Sequence, residues 1–99
     1  MNREIPVPHP GAILREEFLS PMSLSVYALA KAIHVPRSRM NEICHERQGI
    51  TPNIALRLGR FFRVDPQWFV NMQAKYDLHV EGQQLASELE SIQPFVAAA

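Results

Sequence analysis

The sequence predicts an all-α domain of five to six helices, and three observations carry that expectation. Apolar residues recur at three- and four-residue steps in each long segment, helix-starting and helix-stopping residues fall between those segments, and no stretch alternates in the two-residue period of a half-buried strand. Neither a glycine-rich phosphate loop nor an internal repeat interrupts the pattern. Ninety-nine residues, 46% of them hydrophobic, suit one domain. A chain of this size buries roughly 60–70% of its unfolded surface and folds without staples.

The elements follow in order. Pro10 and Gly11 open a first helix whose inward residues are Ile13, Leu14 and Phe18, and "SPMS" ends it. Ser25 is placed as the N-cap of a second helix, "VYALAKAI", with Val26, Leu29, Ala30 and Ile33 on one stripe. Pro36 cannot continue that helix, because it lacks an N–H and crowds the preceding turn, but it is well suited to start the next. The third helix accordingly runs from about Pro36 to Cys44 with Met40, Ile43 and Cys44 inward, and Gly49 breaks the pattern. Thr51–Pro52 and Asp65–Pro66 repeat one signal, a capping side chain followed by a first-turn proline, ahead of "PNIALRLGRFF" and "PQWFVNMQAKYDL". Trp68, Phe69, Met72 and Tyr76 give the fifth helix more apolar bulk than one stripe needs. A weaker sixth helix is placed from about Gln83 to Glu90, and "QPFVAAA" reads as a frayed tail. The resulting division is an arm over 1–8, a body over 9–79 and a C-terminal helix and tail over 80–99.

Several function classes are excluded at this level. The single Cys allows no internal disulfide, no paired-Cys spacing points to zinc, and there is neither a signal-peptide core nor a run of 18 apolar residues, so a cytoplasmic protein with no membrane role is expected. Cys44 and His45 are neighbours about 100° apart on a helix, which is poor geometry for a nucleophile and its base. An interior, inert Cys is the expectation. "HERQG" resembles the start of the zinc-protease pattern "HExxH" but lacks the second His, and His9 and His79 are placed in loops as bystanders. The chain therefore reads as a non-enzyme with no metal and no cofactor.

What remains is a pattern of charge. Net charge is zero, but it is unevenly spread. Residues 1–30 carry a net −1. From 31 to 63, Lys31, Arg37, Arg39, Arg47, Arg57, Arg60 and Arg63 stand against Glu42 and Glu46, a net +5; from 64 to 99, Lys75 stands against Asp65, Asp77, Glu81, Glu88 and Glu90, a net −4. Within the basic stretch, helices two and three are joined by only "HV", so the chain must fold back sharply in a helix-turn-helix. In such a unit the helix after the turn enters the DNA major groove. With Met40 and Ile43 inward, Arg37, Ser38, Asn41, Glu42 and His45 point outward. Arg37 and Arg39 offer forks for guanine, Asn41 suits adenine, Glu42 can accept from cytosine, and Ser38 serves base or phosphate. Ser25 and Thr51, at helix starts with free N–H groups, together with Lys31 and Arg47, are the expected phosphate-binding residues. One recognition helix reads too little sequence for a unique genomic address, so a homodimer on a palindromic double-stranded operator is expected. Trp68, Phe69, Met72 and Tyr76 of helix five are its expected interface, and the acidic segment after Asp65 is expected to face a basic partner.

From Pro8 to Leu78 these residues also resemble a known family, the HigA/VapI antitoxins of the xenobiotic-response-element (XRE) class. The markers are "HPG" before helix one, "ALAKAI-V" in helix two, "GIT" with "ALRL" in helix four and "NMQAKYDL" in helix five. The resemblance implies a lambda-repressor-like helix-turn-helix fold and a type II toxin–antitoxin role. Such a protein neutralises a cognate RelE/HigB-like mRNA-cleaving toxin and represses the shared operon as a DNA-bound dimer. By position, Arg37, Ser38, Arg39, Asn41 and Glu42 match the base-facing part of the recognition helix, and Ser25 and Arg47 match backbone contacts. The chain departs from the family in three places: His34 stands at a turn position that is usually Gly, His45 and Glu46 replace a Gly-containing basic turn, and "QWF" inverts the usual aromatic-then-Trp order. Two other readings remain at this stage, a stand-alone XRE-type regulator with no toxin partner and a protein-interaction module whose arginines are only solvated.

Overall fold

The computed structural model describes residues 6–98, so residues 1–5 of the expected arm lie outside the described residues. Six α-helices and no strand occur among them. The first, α1 (Pro10–Ile13), continues directly as a π-helical segment, Leu14–Leu19. The wide winding has a cause in the side chains. Leu14 and Leu19 are both buried, yet at 100° per residue five α-helical steps would set them about 140° apart. Bonding from residue i to i−5, as in the 3.0 Å bond from Ser20 N–H to the Arg15 carbonyl, brings both to one face.

After a turn come α2 (Val26–Ile33), α3 (Arg37–Cys44), α4 (Pro52–Phe62), α5 (Pro66–Gln84) and α6 (Ala86–Ser91). Their starts follow the local chemistry. Ser25 Oγ accepts from Ala28 N–H at 3.0 Å, Thr51 Oγ1 from Ile54 N–H at 3.3 Å, and an Asp65 carboxylate oxygen from Gln67 N–H at 2.9 Å. Each cap satisfies one of the N–H groups that a helix start leaves without a partner, worth about 1 kcal/mol. The core is one cluster in which Leu14, Leu29, Met40, Ile43, Ile54, Leu58 and Phe69 are fully buried. Burying each such side chain contributes roughly 1.5–3 kcal/mol, and three of them lie on α2 and α3, which is what holds the turn between those helices in place.

Four helix ends share one device. At Ser23, His34, Glu46 and Arg63 the backbone enters the left-handed region, with φ between 52° and 65°. In each case the next N–H reaches back five residues: Leu24 to the Leu19 carbonyl, Val35 to Ala30, Arg47 to Glu42 and Val64 to Gly59, at 2.8 to 3.0 Å. These are Schellman closures, which satisfy orphan carbonyls and usually place Gly at the left-handed position. None of the four residues here is Gly.

Three expectations need correction. The fifth helix runs on to Gln84, because "HVEGQQ" contains no proline or other stop signal. The boundary drawn between residues 79 and 80 thus falls inside a helix, and His79 lies on α5 rather than in a loop. Phe69, expected at an interface between copies, is 0% exposed and belongs to the core of its own protomer. Its neighbours show why: the Phe18 and Trp68 rings pack against it, Phe62 packs in turn on Phe18, Met72 rests on the core, and Tyr76 meets the His9 ring edge-on. Of the four residues expected at the interface, Phe69, Met72 and Tyr76 are therefore spent mostly within the protomer, and Trp68, 43% exposed, is the one that shows much apolar surface.

His9 is likewise no bystander. It caps α1, its Nδ1 accepting from Gly11 N–H at 2.9 Å, and it is buried. Burial lowers its pKa from the ordinary 6.5, against the opposing pull of Glu46 and Asp77. The capping bond also requires an unprotonated Nδ1. In the unfolded chain the pKa returns to its ordinary value, so that state takes up the proton first on acidification. The His9 contribution is complete above about pH 6.5 and is lost as pH falls toward the lowered folded-state value. Urea midpoints at pH 7.5 and 5.5 should therefore differ more in the wild type than in His9→Asn, which retains a capping side chain but cannot titrate. Equal pH dependence in the two proteins would contradict this.

Candidate nucleic-acid interface

The bend between α2 and α3 is built by the second Schellman closure. His34, with φ 61° and ψ 46°, reverses the chain, Val35 drops into the core, and Pro36 starts α3. Arg57 of α4 locks this bend from behind. Its Nη1 donates to the Ile33 and His34 carbonyls at 2.9 and 3.2 Å, and its Nε donates to Asn53 Oδ1 at 2.8 Å. Its cationic charge lies at the negative end of the α2 dipole. Arg57 is thus committed to structure, a role its place in the basic stretch did not reveal. The left-handed conformation costs a β-carbon-bearing residue about 1–2 kcal/mol, partly offset by the greater chain entropy that Gly loses on folding. His34→Gly should therefore stabilise the fold by roughly 0.5–1 kcal/mol, read as a raised denaturant midpoint with an unchanged slope.

On α3, Met40, Ile43 and Cys44 are buried, which turns Ser38, Glu42 and His45 toward solvent with Asn41 half-exposed beside them. The two arginines flank this stripe. Arg37 leans back to α2, its guanidinium carbon 5.5 Å from the centre of the Tyr27 ring. Arg39 leans forward to α4, its Nη2 3.4 Å from Thr51 Oγ1. A polar strip bordered by cations thus stands between the N-cap of α2 at Ser25 and that of α4 at Thr51. Lys31, one turn beyond Tyr27, extends the same flank of α2. Proline at the first position of α4 has no N–H and Ile54 N–H is held by Thr51, so Asn53 is left as the donor for an anion there.

Two of the expected contact residues hold each other. Arg47 Nε donates to Glu42 Oε2 at 2.9 Å, and that bond lowers the Glu42 pKa and raises that of Arg47. The bond uses one donor of Arg47 and one oxygen of Glu42, so the Arg47 Nη groups remain available to a phosphate and Glu42 Oε1 to a cytosine while the pair stays closed. Sequence spacing offered no warning, since the partners are five apart and meet only because the chain turns at Glu46. Tyr27 was also missed. Its signal was an aromatic residue outside the apolar stripe of α2, four positions before Lys31.

The thiol chemistry that Cys44 and His45 bring to mind is absent from the geometry. Cys44 is 1% exposed, and burial raises its pKa. The His45 ring turns away to donate from Nδ1 to the Asn41 carbonyl at 2.7 Å. Among the described residues no cluster of His, Cys, Asp and Glu could hold a metal ion, and no helix is long and apolar enough to cross a membrane.

No protein-family model matches the chain. It is 56% identical over 82 residues to virulence-associated protein I of Dichelobacter nodosus, a match covering 83% of this chain and 76% of that protein. Its fold matches the Pseudomonas aeruginosa antitoxin HigA, solved with the higBA promoter, at a TM-score of 0.89 and 36% identity, over 92% of this chain and 100% of the other. Antitoxin GraA in complex with its operator matches at a TM-score of 0.87 and 38% identity, over 98% and 99% of the two chains. The identity to the Dichelobacter protein extends across the helix-turn-helix itself, and the solved antitoxins share the same order of helices, so the chain belongs to the HigA/VapI family of XRE-type helix-turn-helix antitoxins.

Proposed function

We propose that the protein is a cytoplasmic DNA-binding antitoxin. It reads a palindromic operator as a homodimer, represses its own operon and neutralises a RelE/HigB-like mRNA-cleaving toxin. The observation that carries the DNA-binding part is the strip on α3. Ser38 and Asn41 make no side-chain hydrogen bond within the described residues, and cationic groups flank them on both sides. Exposed polar groups with free bonding capacity, bordered by cations, are what a base edge between two phosphate rows requires. Operator and promoter complexes of HigA and GraA support the same reading. Ser38, Asn41, Arg37, Arg39 and Glu42 are assigned to bases, and Ser25, Lys31, Arg47 and Thr51 to the backbone.

Co-expression with the neighbouring gene tests both halves. A toxin of roughly a hundred residues should co-purify, and the complex or the free protein should shift its own promoter fragment. Binding should weaken with salt at a log–log slope of about −0.9 for each phosphate neutralised. No shift at low salt would end the DNA-binding reading. A shift with no co-purifying toxin would leave a stand-alone regulator.

A further inference from the structure

Three arginines of the basic stretch are held in the free protein by oxygen atoms. Arg39 reaches Thr51, Arg47 is bound to Glu42, and Arg57 donates to Asn53 and to the two carbonyls of the bend. Each of these bonds occupies a donor that a base edge or a phosphate could otherwise use. Arg37 is held differently. It makes no hydrogen bond and no ion pair among the described residues, and its guanidinium carbon lies over the Tyr27 ring, 5.5 Å from the centre. A ring face attracts the cation through its π electrons and occupies none of its N–H groups.

The core does not account for Tyr27. It is 56% exposed and lies off the buried face of α2, which is made by Leu29, Ala30 and Ile33. Tyr27 stands in the first turn of α2 and Arg37 opens α3, so the contact joins the two helix starts that the bend at His34 brings together. An arginine side chain free in solvent samples many rotamers and loses that freedom when it meets a base. A ring that already favours one placement raises the fraction of the free protein in which the guanidinium stands ready, and apparent affinity rises with that fraction. The attraction is stronger still once a duplex excludes water from the pair.

We propose that Tyr27 is a positioning residue for base reading: its ring carries the Arg37 guanidinium at the border of the α3 strip and so sets how sharply the operator is discriminated at the base pair Arg37 meets. This rests on the DNA-binding part of the proposed function and adds to it a residue of the helix that precedes the bend. The role needs the ring and not the phenol hydroxyl. A phosphate contact by Tyr27 would need the hydroxyl, because the side chain has no other donor. The two roles therefore separate on a single oxygen atom.

Fluorescence anisotropy of the full chain tests it, on the protein's own promoter duplex and on duplexes with one base pair of the half-site changed at a time. The pair at which Arg37→Ala loses discrimination marks the base that Arg37 reads. At that pair Tyr27→Leu, which keeps an apolar side chain without a π face, should lower discrimination about two- to fivefold per half-site, while Tyr27→Phe should match the wild type. Discrimination at the other pairs should be unchanged. In the Arg37→Ala background Tyr27→Leu should have no further effect, because two residues acting through one contact are not additive. Both side chains are exposed, so the variants should melt near the wild type. Wild-type discrimination in Tyr27→Leu would overturn the proposal, as would a Tyr27→Leu loss that is equal on every duplex or that persists without Arg37. An Arg37→Ala loss shared by all duplexes would leave the ring no base reader to position and would also overturn it. A loss in Tyr27→Phe as large as in Tyr27→Leu would give the residue to a phosphate through its hydroxyl, against this proposal. A wild type that binds no promoter duplex at low salt would instead remove the DNA-binding reading itself, and the role of Tyr27 with it.

Discussion

Gly11→Ala is expected to lower stability by about 3 kcal/mol, the upper end of the usual cost of overpacking a core. A β-carbon at residue 11 would lie 1.8 Å from the Ile43 carbonyl oxygen and 2.8 Å from its carbon, both backbone atoms of α3. The clash cannot be relieved by turning a side chain, so α1 must back away. The same contact surface carries the Arg15 Nη1 bond to the Cys44 carbonyl at 2.6 Å, which satisfies one of the orphan carbonyls ending α3. Displacing α1 weakens that bond and the His9 cap with it. In a domain of this size the loss corresponds to a fall in Tm of roughly 12–24 °C. Gly82→Ala is the control and should act in the opposite direction. Nothing lies within 4 Å of a β-carbon there, and the residue is inside α5, so the change should stabilise by roughly 0.5–1 kcal/mol. If both variants melt with the wild type, the close approach of α1 to α3 is wrong.

The second large effect is on DNA. Arg37→Ala should weaken binding to the preferred operator by about 1–3 kcal/mol per half-site. A dimer uses the residue twice, for a total of roughly 2–6 kcal/mol, or about thirtyfold to twenty-thousandfold. In the free protein the substitution removes only the interaction with the exposed Tyr27 ring, worth about 0.5–1 kcal/mol, so loss of folding will not mimic the effect. Lys31→Ala provides the contrast. It should weaken preferred and scrambled duplexes alike and reduce the salt slope by about 0.9 for each phosphate that is no longer neutralised. Gel shifts of both variants on both duplexes distinguish the roles. An equal loss on the two duplexes for Arg37→Ala would reassign that guanidinium to the phosphate backbone.

Much of the fold was legible because its signals are local. Ser25, Thr51 and Asp65 cap helices through side chains two or three residues from the N–H groups they satisfy, so the sequence states each bond. The inward positions of α3 followed from a period of 3.6, which left Ser38, Glu42 and His45 outside. The rest depended on non-local or unusual geometry. Schellman closures are normally advertised by glycine, and Ser23 and Arg63 carried no such sign, while the turn at Glu46 was marked only by the family resemblance. His34 was placed through family resemblance rather than composition. The burial of Phe69 depends on where Phe18 arrives from another helix, itself backed by Phe62 of a third. The Glu42–Arg47 pair exists only once the turn at Glu46 has formed. Helical periodicity also concealed the burial of Leu19, because a regular α-helix would have turned it away from Leu14.

That last feature bears on how the chain tolerates changes in length. Between Leu14 and Leu19 the backbone holds one residue more than a regular helix would use to bring the same two leucines to the core, and the extra length is taken up by Glu16 and Glu17 on the solvent side. A version lacking one of these glutamates could wind that stretch at the ordinary pitch and still present both leucines inward, four apart. The stretch thus resembles a seam left by an insertion, absorbed within a single coil and passed on neither to the bend at His34 nor to the surface beyond it.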